Sequence, residues 1–123
     1  MNRHDEATAL ARSVFELRRM RADHLPQAVL SETAWNILLA LFVADADGRR
    51  MTGRDVLEVA EAPPSAGSRW IMVLHGEDLV NGDGQGNLDD VIGLTAKGIS
   101  AVEACMVDAQ KFLQARLSRS AAN

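Results

Sequence analysis

One stretch constrains this chain more than any other: "ETAWNILLALFVA", residues 32–44. At helical spacing, Trp35, Leu38, Leu39 and Phe42 share one face, while Ala34, Ile37 and Leu41 share another. A helix that is apolar nearly all round has to lie inside a core, with other elements wrapped around it. Ser31, just before it, carries the hydroxyl needed to cap its first turn. The chain's 123 residues are enough for one such core, and a 47% hydrophobic composition argues against disorder. No apolar run reaches the length of a membrane span. The start, "MNRHDEATAL", lacks the basic-then-apolar order of a secretory leader. Cys105 is the single cysteine, which leaves no internal disulfide and no multi-cysteine zinc site. The expectation is a soluble, cytoplasmic protein with no membrane association. Its formal charge of −4 does not by itself suggest a nucleic-acid binder.

Other segments supply the wrapping. Leu10, Val14, Leu17 and Met20 recur at helical intervals and predict a helix over 5–22, with Arg12, Arg18, Arg19 and Arg21 mostly off that stripe. Pro26 breaks the chain before Ser31, and "DADGRR" (45–50) is a turn. Met51 reads as a strand stub. Thr52 with Asp55 three residues on is a capping pattern, predicting a short helix over 53–60 with Val56, Leu57 and Ala60 inward. A further helix starts near Pro64, since proline suits a first turn. Its Gly67, Trp70, Ile71 and Leu74 follow the inward series, and Gly76 helps to end it. Thr95 caps a last helix to about 118, with Val102, Cys105, Met106, Ala109, Phe112, Leu113 and Leu117 along its buried side.

Between the last two helices lies "LVNGDGQGNLDDVIGLT", residues 79–95. Two chemistries compete for it. Read as an EF-hand loop from Asn81, it puts Asp83, Gln85, Gly86 and Asp89 at the third, fifth, sixth and ninth positions. The first ligand is then Asn, and the twelfth, which should be a bidentate Glu, is Ile92. Read as a hairpin, Leu79-Val80 and Val91-Ile92-Leu94 are short strands around a glycine-rich tip. The failure of the strongest calcium ligand favours the hairpin.

The series "SAGSRWIMVLHGEDLVNGDGQGNLDDVIGLTAKG" (65–98) resembles the recognition helix, wing and final-helix start of MarR-type winged-helix transcription regulators. The matching features are Ser68-Arg69, Leu74, Leu79-Val80, and Leu94-Thr95 with Gly98, while "LSETAWNILLALF" resembles the helix that opens that core. The resemblance implies a mostly α fold with a small β-hairpin wing, a winged helix-turn-helix core over 31–95 flanked by dimerisation helices at 5–22 and 96–118, together making one domain over 1–123. It implies a homodimer bound to double-stranded DNA, with the helix around 64–76 in a major groove and the hairpin near a minor groove. A small apolar effector between the dimer helices and the core belongs to the same expectation.

On this reading the outward side of the recognition helix carries Ser65, Ser68, Arg69, Met72 and His75. Serine and arginine can read bases or hold phosphates. Arg49, Arg50 and Arg54 are either backbone contacts from another side or solvated turn charges. The arginines at 12, 18, 19 and 21 either flank DNA or, as favoured here, bridge to acids of a partner subunit. The charge pattern departs from the family. Residues 63–95 hold one base, Arg69, against Glu77, Asp78, Asp83, Asp89 and Asp90, and Leu88 stands where family wings carry an arginine. Such a hairpin repels phosphates. The alternative function is therefore a winged-helix protein-interaction module with little DNA affinity, its acidic hairpin suited to a basic partner. Other chemistry is thin. His4, His24 and His75 are scattered without metal-ligand spacing. No nucleophile elbow, P-loop or dinucleotide fingerprint is present. No cofactor, no metal and no enzyme activity are expected, and Cys105 is expected to be a buried, inert thiol.

Overall fold

A computed structural model describes residues 2–122, with side chains up to residue 119. The order is α1 (Arg3–Met20), α2 (Glu32–Ala46), β1 (Met51–Thr52), α3 (Gly53–Val59), α4 (Pro64–Gly76), β2 (Val91–Ile92) and α5 (Ala96–Ala122). Two single 3-10 turns, Arg21–Asp23 and Gln27–Val29, join α1 to α2. The predicted caps are present. Ser31 Oγ accepts from the Ala34 amide at 3.1 Å. Thr52 and Asp55 cap each other reciprocally, at 3.2 and 3.0 Å, which fixes where α3 begins.

The apolar girth of α2 fills the centre. Ala34, Trp35, Ile37, Leu38, Leu41 and Ala44 are buried, and α2 packs against α3, α4 and α5. Val56 and Leu57 of α3, Ile71 and Leu74 of α4, Leu79, Val80 and Ile92 around the wing, and Val102 of α5 complete the core. Full burial of a side chain such as Ile37 or Leu74 contributes about 1.5–3 kcal/mol. Trp70 is only half-buried, at the edge of this core.

The sheet differs from the expected hairpin in one respect. The stub at Met51 is the regular partner: β1 pairs antiparallel with β2, Met51 opposite Ile92 and Thr52 opposite Val91. The predicted Leu79-Val80 strand contributes a single bridge, Val80 to Leu94. At the far end of the wing, Thr95 ties the chain down by donating its hydroxyl to the Asp78 carbonyl at 2.6 Å and accepting from the Gly98 amide at 3.0 Å.

Two expectations about the outer helices change. Leu10 and Val14 of α1, and Met106, Leu113 and Leu117 of α5, are exposed in the protomer, whereas Ser13 is the buried residue of α1. The apolar stripe of each helix is thus wider than the surface that the rest of the chain can cover. The arginines also find acids at home. Arg18 and Arg21 both reach Glu32, at 3.5 and 2.9 Å, and Arg19 reaches Glu16 at 3.4 Å. Arg21 further lies over the Trp35 ring, 4.4 Å from its centre. These contacts fix the end of α1 against the start of α2, a role sequence separation had hidden.

Gly67 sets the approach of α3 to α4. A β-carbon added there would collide with both δ-methyl groups of Leu57. Gly67→Ala should therefore destabilise the fold by about 1–2 kcal/mol, because overpacking outweighs the gain of about 1 kcal/mol in helix propensity. A urea midpoint equal to or above that of the wild type would refute this close approach.

Candidate nucleic-acid interface

The α3–turn–α4 unit presents one helix outward, as a helix-turn-helix does. Along α4, Gly67, Ile71 and Leu74 are buried against the core, so the opposite arc must face out. Ser65, Arg69 and Met72 are exposed, as expected. Arg69 makes no ion pair among the described residues.

The wing changes the fate of the remaining predicted readers. Instead of projecting away, its tip folds onto α4. Ser68 Oγ donates to the Gly86 carbonyl at 2.8 Å. The Gly86 α-carbon lies against Met72, and that of Gly84 lies against the His75 ring. Glycine is required at both positions: φ is +74° at Gly86 and +75° at Gly84, and a β-carbon would lie 2.5 Å from Ser68 Oγ at the first and 2.9 Å from His75 Cε1 at the second. Ser68 and His75 are consequently half-buried. The sequence pattern placed them on the outward side correctly but carried no sign that the wing covers them.

Leu88 explains why the wing leans inward. It is partly buried against the core, and a β-carbon on Gly53 would touch its backbone and side chain at 3.2–3.3 Å. The returning chain is also clamped to the start of α3: the Gly53 amide donates to the Asp90 carbonyl at 3.1 Å, and the Arg54 amide to the Leu88 carbonyl at 2.9 Å. An apolar anchor thus occupies the position where the resemblance led us to look for an arginine. The acids of the loop serve as turn acceptors. Asp83 Oδ1 receives the Gln85 amide at 2.8 Å, Asp90 Oδ2 the Asp83 amide at 2.9 Å, and Asn81 Oδ1 the Gly93 amide at 2.7 Å. Asp83, Asp89 and Asp90 do not converge on a common point; among the described residues no group of three or more His, Cys, Asp or Glu side chains is placed to hold a metal.

The other predicted basic residues are not gathered into one strip. Arg54 pairs with Asp89 of the wing at 3.3 Å. Arg49 lies 3.8 Å from Asp47 and lines a hollow between α2 and α3 together with Val43, Met51 and Val59. Arg50 is exposed just before β1. Two residues that polarity did not single out share the open side of α4 with Arg69: Val73, 38% exposed, and Ala66. Together with Trp70 they line an open hollow of about 380 Å³.

Away from this face, His24 Nε2 meets Asp108 Oδ2 at 2.6 Å and ties the turn after α1 to α5. Cys105 is buried beneath it. Burial, with Asp108 and Asp23 adding, raises its thiol above the ordinary range against a smaller lowering by Arg21. It is a neutral packing group at neutral pH.

The arrangement is that of a winged-helix protein: a helix-turn-helix followed by a wing that returns to a strand beside it. The fold is that of MarR-type regulators. MepR, a transcription regulator of the Staphylococcus aureus multidrug efflux pump MepA, superposes with a TM-score of 0.70 at 19% identity, over 97% of this chain and 84% of that one. A MarR family transcriptional regulator from Silicibacter pomeroyi DSS-3 gives 0.57 at 21% identity, over 94% and 80%. The multiple antibiotic-resistance repressor MarR from Listeria monocytogenes gives 0.59 at 17% identity, over 99% and 84%. No protein-family model matches the chain, and no curated protein sequence matches it significantly.

The contact between wing and helix is directly testable. Ser68→Ala removes one hydrogen bond, with an expected cost of about 0.5–1.5 kcal/mol, and should speed amide exchange across residues 83–89 while α4 stays protected. Unchanged exchange in that loop would show that the Ser68–Gly86 bond does not hold it.

Proposed function

We propose that this protein is a transcriptional regulator that binds double-stranded DNA as a homodimer, with α4 of each protomer in a major groove. The observation that carries the reading is Arg69: an exposed guanidinium with no ion-pair partner among the described residues, on the outward arc of the second helix of a helix-turn-helix. A guanidinium in that position can take two acceptors on a guanine edge. Ser65 lies beside it, and Arg50 and Arg54 are candidates for backbone phosphates, Arg54 once it exchanges Asp89 for DNA.

The homodimer is supported by the bare apolar surface of the outer helices. Leu10 is 65% exposed, Phe15 70% and Leu117 70%, more contiguous apolar surface than a lone soluble helix pair normally leaves to water. A small effector has a candidate seat in the hollow of about 510 Å³ where α1 ends and α2 begins, among Phe15, Met20, Leu30 and the Arg18–Arg21 turn. An effector there regulates DNA binding only if it binds the two arrangements of the dimer unequally.

One observation favours a second reading. The acidic wing, bound over Ser68 and His75, offers phosphates repulsion instead of neutralisation. A protein-docking module would use the same face for a basic partner. Pull-down at low and high salt separates the two: DNA recovered at low salt supports the regulator, and one basic protein recovered without DNA supports the module.

Two variants test the leading reading. Arg69→Ala should weaken binding to a selected operator by about 5- to 150-fold; equal gel-shift affinity would remove Arg69 from the interface. Phe15→Glu combined with Leu117→Glu should turn a dimer into a folded monomer by sedimentation, with helical content kept. A persistent dimer would move the interface elsewhere.

A further inference from the structure

With the wing tip over Ser68 and His75 and against one side of Met72, which stays 44% exposed, the strip of α4 left open to a duplex differs from the one that polarity picks out. Successive residues of an α-helix turn by about 100°. Centred on Arg69, the open arc therefore runs from Ser65 and Met72 on the wing side to Val73 and Ala66 on the other. Ser65 and Arg69 are exposed, Val73 is 38% exposed, and Ala66, Arg69, Trp70 and Val73 form one continuous hollow. The combination is a single cation flanked on one side by Val73 and Ala66, with the half-buried Trp70 ring behind them.

Resting on the DNA-binding reading above, we propose that Arg69, Val73 and Ala66 are the specificity-determining residues of this helix, and that they select a guanine with a neighbouring thymine. Arg69 takes the O6 and N7 acceptors of guanine. Val73, with Ala66 beside it, covers the C5-methyl group of the thymine, the one apolar group that bases present in the major groove. Valine has no donor or acceptor, so it can favour a base only through such a contact. The spacing fits. Arg69 and Val73 are about 6 Å apart along the helix axis, one to two base steps at about 3.4 Å each. The charge pattern fits as well. An acidic wing, with Arg69 the one arginine on α4 and Arg54 already held by Asp89, gives little sequence-independent attraction, so discrimination falls to base-edge contacts.

The test uses the full chain and chemically altered DNA. A randomised duplex library is enriched for bound sequences, and each thymine of one half-site is then replaced in turn by deoxyuridine, which lacks only the methyl group. At one thymine beside a guanine, the wild type should lose affinity about fourfold, the worth of one buried methyl group. That loss should shrink to nearly nothing in Val73→Ala, whose fold is safe because the side chain lies outside the core. Arg69→Ala should flatten the preference at the guanine. Enriched sequences whose thymines all tolerate deoxyuridine, or a penalty unchanged in Val73→Ala, would overturn this assignment alone. Failure to enrich any sequence would overturn the regulator reading and this assignment with it.

Discussion

The face that α4 presents depends on how that helix is seated on α2 and α3. Ile71 and Leu74 are driven inward by burial, and Gly67 allows Leu57 to lie where a β-carbon would be. That seating fixes the rotation of the helix about its own axis. A helix rotated by one residue, about 100°, would turn Arg69 toward its flank and bring another residue to the front. The hydrophobic core thus determines the chemistry offered to a partner, although none of its atoms touches one.

The wing is governed by a second constraint, a conflict between charge and packing. Its aspartates and asparagine are acceptors for the loop's own amides, while Leu88 and the clamp to α3 draw the returning strand inward. The glycines resolve the conflict: positive φ lets the tip curl over α4, and the missing side chains leave room for Ser68, Met72 and His75. A wing made this way braces the helix. It is poorly suited to neutralising a neighbouring phosphate, since the basic residue nearest to it, Arg54, is already held by Asp89.

The local features of the fold were legible in the sequence, because helix caps and turns are set by residues three or four apart. Ser31, Thr52 with Asp55, Pro64 and Thr95 each announced a boundary that the structure keeps. The contacts that escaped join distant segments. Nothing near Met51 reveals that Ile92 is its partner. Nothing near Glu32 reveals that it receives Arg18 and Arg21. The candidate site was half legible for the same reason. Helical periodicity placed Ser65 and Arg69 outward, but whether Ser68 and His75 were free depended on a loop folding back from 18 and 9 residues downstream, as the Ser68–Gly86 bond and the Gly84–His75 packing show. Polarity also passed over Val73 and Ala66, which share the open hollow with Arg69.

These constraints favour one mode of recognition over another. Proteins that hold DNA mainly by phosphate neutralisation gain affinity from many dispersed cations and lose it steeply as salt rises. Here several arginines are committed within the chain: Arg18 and Arg21 to Glu32, Arg19 to Glu16, Arg54 to Asp89. Each cation that exchanges its acid for a phosphate gives up part of what it gains, and the wing's negative charge opposes the approach of the backbone. What remains is a short strip with one guanidinium and a few methyl groups, whose contacts depend on the identity of the base more than on the charge of the chain. On the proposed reading, a surface of this kind would bind weakly to arbitrary DNA and owe its affinity to fit, and pairing two such strips in the proposed homodimer would be the means of reaching useful affinity, since two modest contacts joined rigidly bind far more tightly than either alone.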